Sequence, residues 1–248
     1  MKVAIIGAGA IGGYVGAKLA LAGEPVTFIA RGANLQALRQ NGIKLVSADG
    51  TEQVARGVAT TDDYAAAGVH DVVVLAMKAQ QVEAVLPQLP HLIGPKTVIV
   101  PMQNGIPFWY FHEHGGKLAG TPVRTVDPTG ALLASIPVAQ VLGCVVYPAA
   151  ELAAPGVIRH IEGDRFPIGE LDGSTSERAT RVSECFARAG LKAPVLDKAA
   201  HKAWWKQIDT WRQRKSLSYK NSKDVIMPQY ALQRLQELTK DRDTYITT

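Results

Sequence analysis

The chain has 248 residues, 47% hydrophobic and 20% charged, which suits one large domain, or one domain with a smaller appendage, and suffices to bury a core. Its apolar runs fall short of the roughly 20 residues of a membrane span, the run after Lys2 stops at Gly7 and is too short for a signal peptide, and two cysteines, Cys144 and Cys185, leave no disulfide scaffold or cysteine-cluster zinc site. The net charge of +5 lies wholly in residues 196–248, which hold 11 Lys/Arg and 6 Asp/Glu. A neutral body with a mildly basic tail is no nucleic-acid face. The expectation is a soluble, cytoplasmic protein with no nucleic-acid or membrane partner.

In chain order, residues 3–6 (VAII) form an unbroken apolar run of the buried parallel-strand type. The glycine turn 7-GAGAIGG-13 follows, and residues 14–22 have helical spacing that stops at Gly23. Residues 25–30 read as a second strand, 34–41 as a helix ended by Gly42, and 43–47 as a third strand. Asp71 to Ala76 is another buried strand, followed by a helical pattern from Gln80 to Leu86 and a further strand over 97–101. This alternation predicts an α/β fold with a Rossmann-like, doubly wound parallel sheet. Residues 141–147 and 157–161 read as strands with no helix between them, which predicts an antiparallel extension. Residues 176–189 and 228–239 read as helices. The second has Pro228 in its first turn and Tyr230, Leu232, Leu235 and Leu238 as its apolar positions.

Gly7, Gly9 and Gly12 make G-x-G-x-x-G directly after a strand and at the opening of a helix, the context a dinucleotide-binding turn needs. Gly7 permits the tight turn, Gly9 lets the backbone approach a pyrophosphate, and Gly12 lets the helix lie close on the strand. Ala8, Ala10 and Ile11 complete the loop, where the helix N-terminus offers N–H groups and a positive dipole end to phosphates. NAD-preferring sites carry Asp or Glu at the end of the second strand. Here Thr27-Phe28-Ile29-Ala30 ends in Arg31, whose guanidinium suits a 2′-phosphate, so NADPH is the expected cofactor. Lys78 and Asn104 follow the C-terminal ends of two further strands, where open α/β sheets bind ligands. Taken singly, Lys78 also reads as a solvated loop residue and Asn104 as a turn former before Gly105. His112, His114 and His160 lack a ligand set around them and read as surface or structural residues, so no metal is expected.

These residues make the sequence resemble the ketopantoate reductase (2-dehydropantoate 2-reductase) family. The resemblance is carried by 7-GAGAIGG-13, Arg31, 75-LAMKAQQV-82, 102-MQNG-105 and 159-RHIEGDRFPIGE-170, and covers about residues 1–195. It implies NADPH-dependent reduction of ketopantoate, a small 2-keto acid, to pantoate in pantothenate biosynthesis. It also implies a dinucleotide-binding domain followed by an all-helical domain, with substrate between them. By the same resemblance Lys78 and Gln81 line the cofactor side, Asn104 sits where cofactor and substrate meet, and Arg31 recognises the 2′-phosphate.

The resemblance weakens towards the C-terminus. The family's general acid is a lysine on the first helix of the helical domain, in a pattern like A-E-x-W-x-K-L followed by asparagines. Here 201-HKAWWK-206 aligns Trp204 and makes Lys206 the candidate acid, a role commonly worth about 10² to 10⁴ in rate. Lys202 replaces the glutamate, Thr210 and Arg214 replace the asparagines, and the rest of the helical domain has no counterpart. From about Ala203 the sequence is similar instead to a segment of the acetolactate synthase large subunit that leads into its thiamin-diphosphate domain. That similarity is most specific in 224-DVIMPQYALQRLQELTKDRDTYITT-248, and no thiamin chemistry is expected from it. The expected organisation is an NADP-binding domain over 1–170, a connecting helical segment over 171–202, and an atypical, mostly helical tail over 203–248. Two functions stay open: the reductase, or a catalytically incomplete dinucleotide-binding module. A substrate face without its helical partner should expose apolar surface, and a homo-oligomer is one expected consequence.

Overall fold

The computed structural model describes residues 1–113, 115–196, 202–214 and 218–242, in two units, Met1–Lys198 and Ala199–Thr248. The first unit begins with β1 (Val3–Ile6), α1 (Ala10–Leu21), β2 (Val26–Ile29), α2 (Gly32–Asn41), β3 (Ile43–Val46), β4 (Glu52–Ala55), β5 (Ala59–Thr61), α3 (Tyr64–Ala67) and β6 (Val72–Leu75). It continues with β7 (Val98–Pro101), α4 (Ala131–Ser135), β8 (Leu142–Cys144), β9 (Ala149–Ala154), β10 (Val157–Glu162), β11 (Ile168–Glu170) and α5 (Glu177–Arg188).

Five parallel strands form the central sheet in the order β5-β2-β1-β6-β7. The chain leaves β1 towards β2 on one side and returns to β6 on the other. Strand order therefore reverses beside β1, and open α/β sheets bind ligands in the crevice outside the strand C-termini at such a point. Successive residues of β1 and β6 enter different cores: Val3, Ile5, Val72 and Val74 one, Ala4, Ile6, Val73 and Leu75 the other. A strand covered on both faces needs apolar residues throughout, which is why these segments read as unbroken runs.

Helix α1 packs against β1 and β2 of this sheet and against all four strands of a second sheet, ordered β4-β3-β10-β9. A helix covered on both sides has no polar face, and Tyr14, Val15, Ala17 and Leu19 are all buried. Small residues make the close approach possible. A Cβ on Gly16 would stand 2.4 Å from the Phe28 ring on β2, and one on Gly13 would stand 2.4 Å from Ile158 Cδ1 on β10.

Four expectations change in the structure. Helix α1 opens at Ala10, inside the glycine turn; its first turn, Ala10-Ile11-Gly12-Gly13, carries no apolar period by which the spacing could mark it as helical. The strand at 43–47 does not join the parallel sheet: β3 pairs with β4 and β10, and the edge of the parallel sheet is β5, whose sequence ATT is too polar to stand out. The helix expected over 80–86 is a series of 3₁₀ turns at Ala79–Gln81, Glu83–Val85 and Leu89–Leu92, with N–H groups bonding three residues back. Pro87 and Pro90 offer no donor, and an α-helix would drive the Pro87 ring into the Glu83 carbonyl. Finally, the antiparallel pairing expected of 141–147 and 157–161 forms in two separate sheets rather than in one extension, and an isolated bridge from Val141 to Ile99 of β7 ties the first segment to the parallel sheet. β8 pairs with β11, and β10 lies between β3 and β9, joined to β9 by the turn Pro155-Gly156. Helix α5 forms as its spacing predicts, with the Ser176 hydroxyl accepting from the Ala179 N–H as its N-cap.

The second unit contains α6 (Lys202–Gln213) and α7 (Pro228–Thr239), the latter over the residues its apolar spacing predicts. Neither helix buries a residue. Trp204 and Trp211 meet edge to face at 5.3 Å, and Arg212 lies over the Trp205 ring. Residues 197–201 of the expected connecting segment and 243–248 of the tail lie outside the described residues. No described helix is long and apolar enough to cross a membrane.

Candidate active site

Gly7 follows β1 with φ +97°, a conformation that favours glycine, and its N–H donates to the Ile29 carbonyl at 3.2 Å. A Cβ on Gly12 would stand 2.1 Å from the Gly7 carbonyl oxygen and 2.7 Å from Ala76 Cβ, so any side chain there lifts α1 off the strand ends. Gly9 is the opposite case: a Cβ there meets nothing within 4 Å. No side chain caps the first turn of α1, which leaves its N–H groups to a ligand.

A cleft of about 510 Å³ opens over this turn. Gly7, Gly9, Ala10 and Ile11 line one wall, and residues 76–81 and 102–104 line the other. The structure thus brings the glycine loop, Lys78, Gln81 and Asn104 to one place at the C-terminal ends of β1, β6 and β7. Arg31 does not line that cleft. It stands two residues past β2 as the exposed N-cap of α2, and no hydrogen bond or ion pair engages its guanidinium among the described residues. Nearby Tyr64 feels this cation: burial pushes its phenol pKa up, and Arg31 pulls the other way. Lys206 belongs to the second unit, exposed on α6.

Two site residues carry bonds that their sequence positions do not reveal. The Lys78 backbone N–H donates to Gln81 Oε1 at 3.2 Å, so Gln81 caps the 3₁₀ turn that follows β6. Asn104 Nδ2 donates to the Val146 carbonyl at 2.8 Å, and its Oδ1 accepts from the Val146 N–H at 3.1 Å. That double bond pair pins the chain after β8 against the end of β7.

Two further residues hold the cleft in shape. Gln103 Nε2 donates to the carbonyls of Leu75 at 2.7 Å and Met77 at 2.9 Å, tying the end of β7 to the loop that carries Lys78. Asn34 Nδ2 donates to the Ala8 carbonyl at 2.6 Å, and Asn34 Oδ1 accepts from the Gly156 N–H at 2.7 Å. Gln103 could have been found through the motif that contains it. Asn34 gives no local signal, since its partners lie 26 and 122 residues away.

The 159–170 motif serves the scaffold. The His160 ring stacks on Tyr14 at 4.4 Å and bonds the Gly163 carbonyl at 2.6 Å. Burial, with Asp164 adding to it, pushes the Tyr14 phenol up to about 12. Glu170 accepts from Arg178 Nε at 2.7 Å and from the Ser176 hydroxyl, and the Arg178 bond above all holds its carboxyl below the usual range. His112 pairs with Glu113 at 3.5 Å, and His114 lies outside the described residues. No group of three His, Cys, Asp or Glu side chains that could hold a metal ion occurs among the described residues.

A family model described as ketopantoate reductase PanE/ApbA matches residues 3–173, spanning the glycine loop and both walls of the cleft. The chain belongs to this family. A 2-dehydropantoate 2-reductase of Mesorhizobium japonicum is 48% identical over 209 residues, covering 83% of this chain and 63% of that protein. Among solved structures, a provisionally named ketopantoate reductase of Ralstonia solanacearum MolK2 is 43% identical, with a TM-score of 0.75 over 83% of this chain and 63% of that one. A PanE/ApbA family ketopantoate reductase of Ralstonia eutropha JMP134 is 27% identical, with a TM-score of 0.63 over 84% of this chain and 60% of that one. The chain spans under two thirds of the length of these relatives. Its α/β, Rossmann-like sheet is the fold of the family structures.

Proposed function

We propose that the chain is an NADPH-dependent 2-dehydropantoate 2-reductase, reducing ketopantoate to pantoate for pantothenate biosynthesis in the cytoplasm. The observation that carries this reading is the cleft, where Gly9 opens onto free space at an uncapped helix N-terminus, opposite Lys78 and Asn104. These residues fit an extended dinucleotide. The first turn of α1 would hold the pyrophosphate through its N–H groups and dipole. Arg31, standing where NAD sites carry an acid and lacking a described counter-ion, would pair the 2′-phosphate. When bound, the cofactor supplies the hydride.

The chain's own groups do the rest. Lys78 places a cation on the wall facing the glycine loop, and Gln81 holds its turn. Asn104 stands where cofactor and 2-keto acid would meet, with Gln103 fixing that wall. Lys206 is the proposed general acid, donating a proton from Nζ to the substrate carbonyl oxygen as hydride arrives. Lys206→Ala should lower turnover roughly tenfold or more with NADPH affinity unchanged, and unchanged turnover removes it from the mechanism. We assign 1–170 to NADP binding, 171–202 to a connecting helical segment, and 203–248 to a tail similar to the acetolactate synthase segment.

NADPH oxidation with ketopantoate, followed by absorbance beside NADPH binding followed by fluorescence, tests the reading. Ketopantoate-dependent oxidation supports the reductase. Binding without oxidation supports a second reading, a dinucleotide-binding module without turnover. The commitment of the Asn104 and Gln81 side chains to backbone partners favours that alternative.

A further inference from the structure

We propose that Asn34 is a positioning residue for the dinucleotide site, setting the glycine loop against the helix that presents Arg31; the proposal rests on the cofactor reading above. Ala8 is buried and, unlike Gly7, Gly9, Ala10 and Ile11, does not line the cleft. Its carbonyl points instead to Asn34 Nδ2 at 2.6 Å. In a planar trans peptide the carbonyl and the following N–H point in opposite directions. Holding the Ala8 carbonyl therefore turns the Gly9 N–H away from α2, and so orients the loop's backbone at Gly9, which, unlike Gly7, Gly12 and Gly13 of the same loop, opens onto free space.

The same side chain fixes the Arg31 end. Arg31 is the N-cap of α2 and Asn34 lies three residues on, so both occupy one side of the first helical turn. The other half of the amide accepts from the Gly156 N–H at 2.7 Å, and Gly156 in turn accepts from the Lys44 N–H at 2.8 Å. Donor and acceptor of Asn34 are thus both committed, and its side chain cannot swing away without breaking two bonds. A ligand that touches only the glycine loop needs one of these elements in place. A ligand that also reaches Arg31 needs the distance between them.

That difference makes the role measurable without turnover. Dissociation constants for NADPH and NADH are measured by fluorescence for the wild type, Asn34→Ala, Arg31→Ala and the double variant, with thermal unfolding beside them. Asn34→Ala should weaken NADPH about tenfold and NADH roughly two- to threefold, the scale of one net hydrogen bond, so the preference for NADPH falls. In the Arg31→Ala background the same change should weaken both nucleotides alike. Asn34→Ser is held to the same criterion if the alanine variant does not fold. Equal losses for both nucleotides with Arg31 intact mark Asn34 as merely structural and overturn the proposal. A wild type that binds both equally overturns it as well, since Arg31 then reads no 2′-phosphate. A wild type that binds neither overturns the cofactor reading itself, and the proposal falls with it.

Discussion

His70 is 2% exposed, between Thr27 of β2 and the turn at Gly68. Its Nδ1–H donates to the Gly68 carbonyl at 2.7 Å and its Nε2 accepts from the Thr27 hydroxyl at 2.9 Å, an assignment made from the partners and one that suits the neutral ring. Burial pushes its pKa below the ordinary 6.5. The unfolded chain then takes up the proton first as pH falls. The stability His70 contributes is complete above 6.5 and is lost as pH drops towards the lower folded value. Melting temperature should fall between about pH 7.5 and about pH 5.5, and His70→Gln should flatten that slope; an equal slope in the variant refutes the assignment. Glu170 has the carboxylate sign: its contribution is present above 4.5 and is lost as pH falls through its lowered folded value. Glu170→Ala strands the part-buried Arg178 guanidinium and should cost roughly 1–3 kcal/mol in urea unfolding, and Glu170→Gln less. Neither role shows in the sequence. His70 follows a loop and meets Thr27 only across 43 residues of chain, and Glu170 closes a family motif whose spacing does not show that the turn after β11 brings Ser176 and Arg178 back to it.

The strand–glycine turn–helix element lets packing and binding be separated by two substitutions. In Gly12→Ala the new Cβ meets the Gly7 carbonyl oxygen at 2.1 Å, an overpacking worth about 1–3 kcal/mol or more, and the melting temperature should drop. In Gly9→Ala the Cβ enters open space at φ −80°, so the melting temperature should stay near that of the wild type. NADPH affinity should nonetheless fall roughly tenfold or more, because the methyl occupies the approach of the pyrophosphate. A Gly9→Ala protein with unchanged affinity would remove the phosphates from that wall. This element is legible in the sequence because strand, turn and helix are neighbours in the chain. The turns over 79–92 are less so, since the apolar spacing resembles a helix and Pro87 decides otherwise.

At the scale of the whole molecule, α6 and α7 expose Trp204, Trp205, Trp211, Leu232, Leu235 and Leu238. Exposed apolar faces of this kind drive association. Light scattering over a range of protein concentrations should therefore give a rising mass, and Leu232→Glu with Leu238→Glu should lower it; a monodisperse monomer throughout counts against self-association. The sequence by itself determined the central strands, the glycine loop and the family, because each rests on residues adjacent in the chain. A strand covered on both faces must be apolar throughout, and a turn that admits phosphates must be glycine. Only the tertiary structure decided that β3 leaves the parallel sheet for β10, that β5 takes the edge, and that Asn104 holds Val146. It also decided that Asn34 joins the glycine loop to the β9–β10 turn. Such pairings join residues far apart in the chain, so no local pattern encodes them. They exist once distant segments of the chain have come together.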